Sequence, residues 1–192
     1  MIIQTNEELN TLRECGKRLA EVLAEVKRAV RPGISTKELD RIAEDEIRKA
    51  GGEPVFKGYK TRHDKHPFPA SLCVSINDEI VHGIPSEKRI LREGDIVGLD
   101  IGMKWPRRDI QHSAFSIQHS GDGLITDMAI TVPVGKISAE AEKLLRVTEE
   151  SLAKGIGVLR AGTRFGDFGF IVQSYLEAHG LSVIRDLVGH GV

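Results

Sequence analysis

Apolar positions along the first fifty residues recur at helical spacing. Leu9, Leu12, Leu19, Leu23, Val26 and Val30 form one stripe, and Thr5 and Glu8 in front of it are spaced as a capping box. Pro32-Gly33 stops this helix. Ser35 and Glu38 repeat the capping signature, and Leu39, Ile42, Ala43 and Ile47 make a second stripe that Gly51-Gly52 ends. The texture then changes. "SLCVSINDEIVHGIP" reads as strand, Asn-Asp turn and strand, and "GDIVGLDIG" and "LITDMAITVPV" read as further strands rich in β-branched residues. Helical texture returns in "SAEAEKLLRVTEESLAKGIGVLRAG" and "DFGFIVQSYLEAHG".

The second helical stretch resembles the first at an offset of 129 positions. Arg31 falls on Arg160, Gly33 on Gly162, Glu38 on Asp167, Ile42 on Ile171, Ile47 on Leu176 and Gly51 on Gly180. Two readings fit: generic helical hairpins, or an internal duplication. Under duplication, strands follow the second helix of the first copy, whereas only twelve residues follow Gly180, so the chain is expected to be cut short in its second half.

Composition narrows the class. The 192 residues suffice for a domain with its own core. With 40% apolar and 29% charged residues and a net charge of −1, the chain is an ordinary globular one, with no general attraction to nucleic acid or an anionic membrane. Two cysteines, Cys15 and Cys73, are too few for a disulfide framework, which favours a reducing compartment. The polar N-terminus is no signal peptide, and no apolar run spans a bilayer. A soluble, cytoplasmic protein is expected.

Strand alternation then isolates two acids. Along "IVGLDI", Val97, Leu99 and Ile101 share one face, and Ile96, Gly98 and Asp100 the other. Along "ITDMAITV", Met128, Ile130 and Val132 oppose Ile125, Asp127, Ala129 and Thr131. If the strands pair antiparallel, Asp100 and Asp127 are expected as cross-strand neighbours, with Cβ atoms about 5 Å apart. Either both acids face water, or a shared divalent cation relieves their repulsion. His82 in "IVHGIP" and His190 in "VGHGV" read alone as structural or surface histidines. Beside two strand aspartates they point to a carboxylate–imidazole site for Mn, Fe, Co or Zn. Cys15 is expected in the core, and Cys73 on the strand leading towards His82.

"CVSINDEIVHGIP", "GDIVGLDIG", "TDMAITVPVG" and "VGHGV", in that order, resemble the type I methionine aminopeptidases. The resemblance implies an α/β (α+β) pita-bread fold of two pseudo-symmetric halves, the second incomplete. Residues 1–192 would form a single catalytic domain, the first half spanning about 1–135 and the start of the second about 136–192. It implies removal of the initiator methionine from nascent proteins with two divalent metal ions (Co, Mn, Fe or Zn). Asp100, Asp127 and His190 would be metal ligands, His82 would face the scissile amide, and Phe68 and Cys73 would line the methionine pocket. The implied partners are nascent polypeptide N-termini, with ribosome proximity and a monomeric state.

The family's two glutamate ligands and a further histidine lie beyond the "GHG" motif, where this sequence has no residues. The chain alone is therefore expected to be an inactive fragment. Residues 107–122, with "IQHS" twice, read as an insertion in the loop between the aspartates, and His112 and His119 as loop residues rather than ligands. "KTRHDKHPFP" is expected to be an exposed loop near the substrate entrance. The alternatives are a non-catalytic pita-bread binding module and a proline-directed metallopeptidase.

Overall fold

The computed structural model describes residues 2–62, 65–107, 123–187 and 189–190. The chain divides into two compact units, one running to Lys136 and one from Ile137 onward.

In the first unit, helix α1 (Asn6–Ala29) starts on the expected capping box: Thr5 accepts from the Glu8 amide, and the Glu8 carboxylate accepts from the Thr5 amide. Helix α2 (Thr36–Lys49) is capped by Ser35. Strands β1 (Glu53–Pro54), β2 (Leu72–Ile76), β3 (Ile96–Trp105) and β4 (Leu124–Pro133) form one antiparallel sheet. β3 is its axis: β1 and β2 lie end to end along one side of it, and β4 runs the full length of the other.

The helices cover one face of this sheet, α1 over β3 and β4, α2 over β2 and β1. The covered face carries Val97, Leu99, Ile101 and Met103, all fully buried against Cys15, Leu19, Val26, Leu39 and Ile47. Cys15 is core, as expected, with its thiol 3.0 Å from the Thr126 hydroxyl on β4.

One expected strand is absent. After β2 the chain turns at Asn77, but residues 80–85 form no strand. Only Gly83 returns to the sheet, accepting from the Val74 amide at 2.8 Å. A Cβ at Gly83 would stand 2.1 Å from the Val74 carbonyl oxygen, so this approach needs glycine.

Asp40 joins the two layers. Its side chain, 2% exposed on α2, accepts from the Ser71 and Leu72 amides on one oxygen (2.7 and 3.1 Å) and from Lys37 on the other (2.8 Å). These are the backbone donors at the head of β2, just before Cys73.

In the second unit, α3 (Ala139–Val158) and α4 (Phe165–Ala178) form a hairpin. Displaced by 129 positions, Thr36–Lys49 falls on Phe165–Ala178, and Ala29 on Val158, which ends α3. The turn bonds repeat at the same offset: Gly52 to Ile47 and Leu181 to Leu176, both 3.0 Å. Gly33 and Gly162 have φ of +87° and +93°, and Gly51 and Gly180 +78° and +75°. Shared helix ends, turn bonds and left-handed glycines support duplication over a generic hairpin. The packing differs: Gly155 stands where the first unit has Val26, and Phe168 where it has Leu39, with a Cβ at Gly155 only 2.6 Å from the Phe168 ring. Phe165, Phe170, Leu152 and Ile156 of this hairpin are exposed.

Replacing Asp40 by Ala leaves two buried backbone donors without their acceptor and should cost about 3 kcal/mol in urea denaturation. Asp40→Asn retains an oxygen for both amides and should cost less than half of that. Equal losses would show that the amides are not what the side chain serves.

Candidate metal centre

The sheet face away from the helices carries the candidate chemistry. Asp100 is opposite Cys73 on β2 and Ala129 on β4, and Asp127 is opposite Gly102. All five positions share one face, because the pleat alternates and the register is unbroken. The carboxylates are thus brought to one surface, but not as directly opposed neighbours. They sit on a diagonal, displaced by two residues along the ladder, because Ala129 occupies the place across from Asp100. Backbone positions on such a diagonal are about 7–8 Å apart, wider than the expected direct pair and suited to flanking an ion. Both aspartates are half-buried.

The electrostatics register their proximity. The Cys73 thiol is pushed up to about 12, first by burial and then by the negative charges of Asp100, Asp127 and Asp40. One cysteine feels both candidate ligands, which places a concentrated negative potential on this face. A divalent cation answers such a potential, and carboxylate oxygens suit Mn, Fe, Co or Zn. The donor set so far fits a cation in part. Among the described residues, no group of three or more His, Cys, Asp or Glu side chains is gathered as a metal site.

His82 follows the turn after β2 with its side chain exposed and its backbone at φ +58°. The adjoining Gly83 amide donates to the Ser75 hydroxyl (3.2 Å). Ser75 lies two residues along β2 from Cys73, on the same face, so the backbone next to His82 is tied to the strand that carries Cys73. Phe68 is half-buried and exchanges backbone bonds with Gly58 and Tyr59. These bonds close the basic loop, whose Lys60, Thr61, Arg62, Lys65 and His66 are exposed. His190 belongs to the second unit and is exposed. Residues 108–122, with His112 and His119, lie outside the described residues.

Sequence reasoning missed Val55 and Phe56. A Cβ at Gly102 would meet the Val55 methyl at 2.6 Å and the Phe56 ring at 2.8 Å, so these side chains wall the carboxylate face beside Asp127. The available signal was Gly102 itself, a glycine inside a strand, which marks a close approach.

A sheet with two acids on one face, and a helical hairpin that recurs later in the chain, are the elements of a two-half metallohydrolase scaffold. The chain belongs to metallopeptidase family M24, whose family model matches residues 10–192. It is 44% identical over 192 residues to "Methionine aminopeptidase 1" of Bacillus subtilis (strain 168), covering 100% of this chain and 68% of that protein. The crystal structure of methionine aminopeptidase from Rickettsia prowazekii superposes with a TM-score of 0.84 at 33% identity, covering 100% of this chain and 68% of that one. The Xaa-Pro dipeptidase of Bacillus anthracis shares the fold at 20% identity, with a TM-score of 0.68 over 93% of this chain and 42% of its own. The fold is thus the expected pita-bread architecture, and part of each relative has no counterpart in these 192 residues. The family is one of metal-dependent peptidases, and divalent metal cofactors come with it.

The raised Cys73 value makes a test. The folded state holds this proton more tightly than the free thiol at 9.0 does, so the associated stability is intact below pH 9 and is lost as pH rises towards about 12. At pH 8, alkylation of Cys73 should be roughly a thousandfold slower than in the unfolded chain. Asp100→Asn removes one of the opposing charges and should speed it several-fold. An unchanged rate in Asp100→Asn would separate the carboxylate from the thiol.

Proposed function

We propose that this chain carries part of the centre that removes the initiator methionine from new proteins, hydrolysing the first peptide bond when the next side chain is small. The observation that carries the reading is the shared face of Asp100, Asp127 and Cys73, in a chain 44% identical to a methionine aminopeptidase. Asp100, Asp127 and His190 are the proposed metal ligands, for two divalent ions drawn from Co, Mn, Fe or Zn. When bound, the ions supply an acidified water and polarise the scissile carbonyl.

The chain's own residues do the rest. His82 hydrogen-bonds near the scissile amide and fixes its orientation. Cys73 and Phe68 line the pocket for the methionine side chain, and the Val55 and Phe56 wall adds apolar surface. Cys73 serves there as a neutral thiol, since burial first and the nearby carboxylates second oppose the thiolate. The proposed domain is one pita-bread unit over residues 1–192, its first half ending near residue 135. Its substrates would be nascent N-termini in the cytoplasm, met by a monomer close to the ribosome. No helix among the described residues is long and apolar enough to cross a membrane.

The methionine reading is favoured over the proline-directed one because the identity to the methionine enzyme is more than twice that to the dipeptidase. It is favoured over a metal-free binding module because both strand aspartates share one face.

Equilibrium dialysis with Mn²⁺ and Co²⁺ tests the centre. The 192-residue chain should take up one ion weakly, and Asp100→Asn and Asp127→Asn should each weaken uptake at least about ten-fold. Supplied with the portion of its relatives that these 192 residues lack, the protein should bind at micromolar concentration and release methionine from a Met-Ala-Ser peptide. No uptake at that concentration in the longer protein would sink the enzyme reading. For the ribosome, neutralising Lys57, Lys60, Arg62 and Lys65 together should weaken co-sedimentation; unchanged co-sedimentation removes that contact.

A further inference from the structure

The loop from Asn77 to Asp95 carries His82, and both of its ends are tied. At the stem, Asn77 donates its amide to the Ile96 carbonyl (3.0 Å), its Nδ2 donates to Asp95 (2.8 Å), and its Oδ1 accepts from the Ile96 amide (3.0 Å). The returning limb is pinned to the link between α1 and α2: Leu91 donates to Ile34 (2.9 Å), and the Ser86 amide to the Thr36 hydroxyl (2.9 Å). Between these anchors, Ile80, Val81 and Ile84 are exposed, so little packing holds the middle of the loop.

Yet His82 sits there at φ +58°, a left-handed conformation uncommon for residues with a Cβ, although histidine visits it more often than most. The restraint comes from β2 and acts on the next residue. Gly83 bonds at both ends to consecutive strand residues, its carbonyl accepting from the Val74 amide and its amide donating to Ser75 Oγ. That amide belongs to the peptide plane joining His82 to Gly83. Fixing it places the Cα and carbonyl of His82, and because the chain before His82 is tied at the Asn77 stem, it narrows the φ and ψ open to this residue. Ser75 is only 7% exposed and shares its sheet face with Cys73 and Asp100.

We propose that Ser75 is a positioning residue for His82: by accepting the Gly83 amide, its hydroxyl holds His82 in the left-handed conformation that aims the imidazole over the carboxylate face. The proposal rests on the substrate-facing reading of His82 given above. Ser75 itself touches no reacting atom in this role.

Nuclear magnetic resonance on the isotope-labelled 192-residue chain tests it. In Ser75→Ala, the Gly83 amide should exchange about ten-fold faster, as loss of one hydrogen bond implies. The intraresidue HN–Hα nuclear Overhauser effect of His82, strong at φ +58° because the two protons are eclipsed, should weaken. Protection at Leu99 and Ile101, in the centre of the sheet, should stay unchanged, which separates loss of aim from loss of fold. Ser75→Thr keeps the hydroxyl and should restore the parent values.

Should Ser75→Ala also lose protection at Leu99, Ser75→Cys gives the same readout with a nearly isosteric, weaker acceptor. Unaltered Gly83 exchange and an unaltered His82 intraresidue HN–Hα effect in a folded variant would overturn the proposal. Titration with a Met-Ala-Ser peptide distinguishes its failure from that of the function. If, in the longer protein described above, the peptide leaves the His82 ring signals unmoved while Ser75→Ala still releases the His82 backbone, the substrate-facing reading falls and the backbone latch stands.

Discussion

The site depends on the pleat of β3. Leu99 and Ile101 are fully buried under two helices, so the residue between them must emerge on the opposite face. That residue is Asp100. A slip of one residue would drive a carboxylate into the core and expose a row of apolar side chains, so the hydrophobic core itself enforces the placement of the acid. The unbroken antiparallel register with β4 then leaves Asp127 no choice of side. Asp40, clamping the first amides of β2, fixes Cys73 against the same reference.

The duplication shows which features of the helical hairpin are geometric and which are local. The end of the first helix, both ends of the second, the turn bonds and the left-handed glycines recur at a constant offset, because they set the path of the chain. Side-chain size does not recur. Bulk has moved from one helix to the other, with Gly155 and Phe168 in place of Val26 and Leu39. One backbone solution is thus held by two different packings.

Much of this was legible in the sequence. The stripes on α1 and α2, both serine and threonine caps, β3 and β4, and the alternation that puts Asp100 and Asp127 on polar faces all follow from periods of 3.6 and 2. Register did not follow: alternation says which face a residue occupies but not which residue stands opposite, so the aspartates were expected face to face and lie on a diagonal. The strand expected around His82 fails because its segment touches the sheet only through Gly83. Val55 and Phe56 escaped notice because their role is visible only from Gly102, far along the chain on β3. Asp40 was passed over because a buried carboxylate on a helix announces its partners only in three dimensions.

Two hairpins of the same path in one chain pose a problem of self-recognition during folding. The helices are close enough in design for one copy to pair with the partner belonging to the other. The exchanged bulk works against this. Were α4 to seat on α1, Phe168 would meet Val26 where it now meets a glycine with no side chain. Were α2 to seat on α3, Leu39 would leave the space above Gly155 half filled. The first mispairing clashes and the second leaves a void, so each helix carries a steric key that admits its own neighbour and refuses the look-alike.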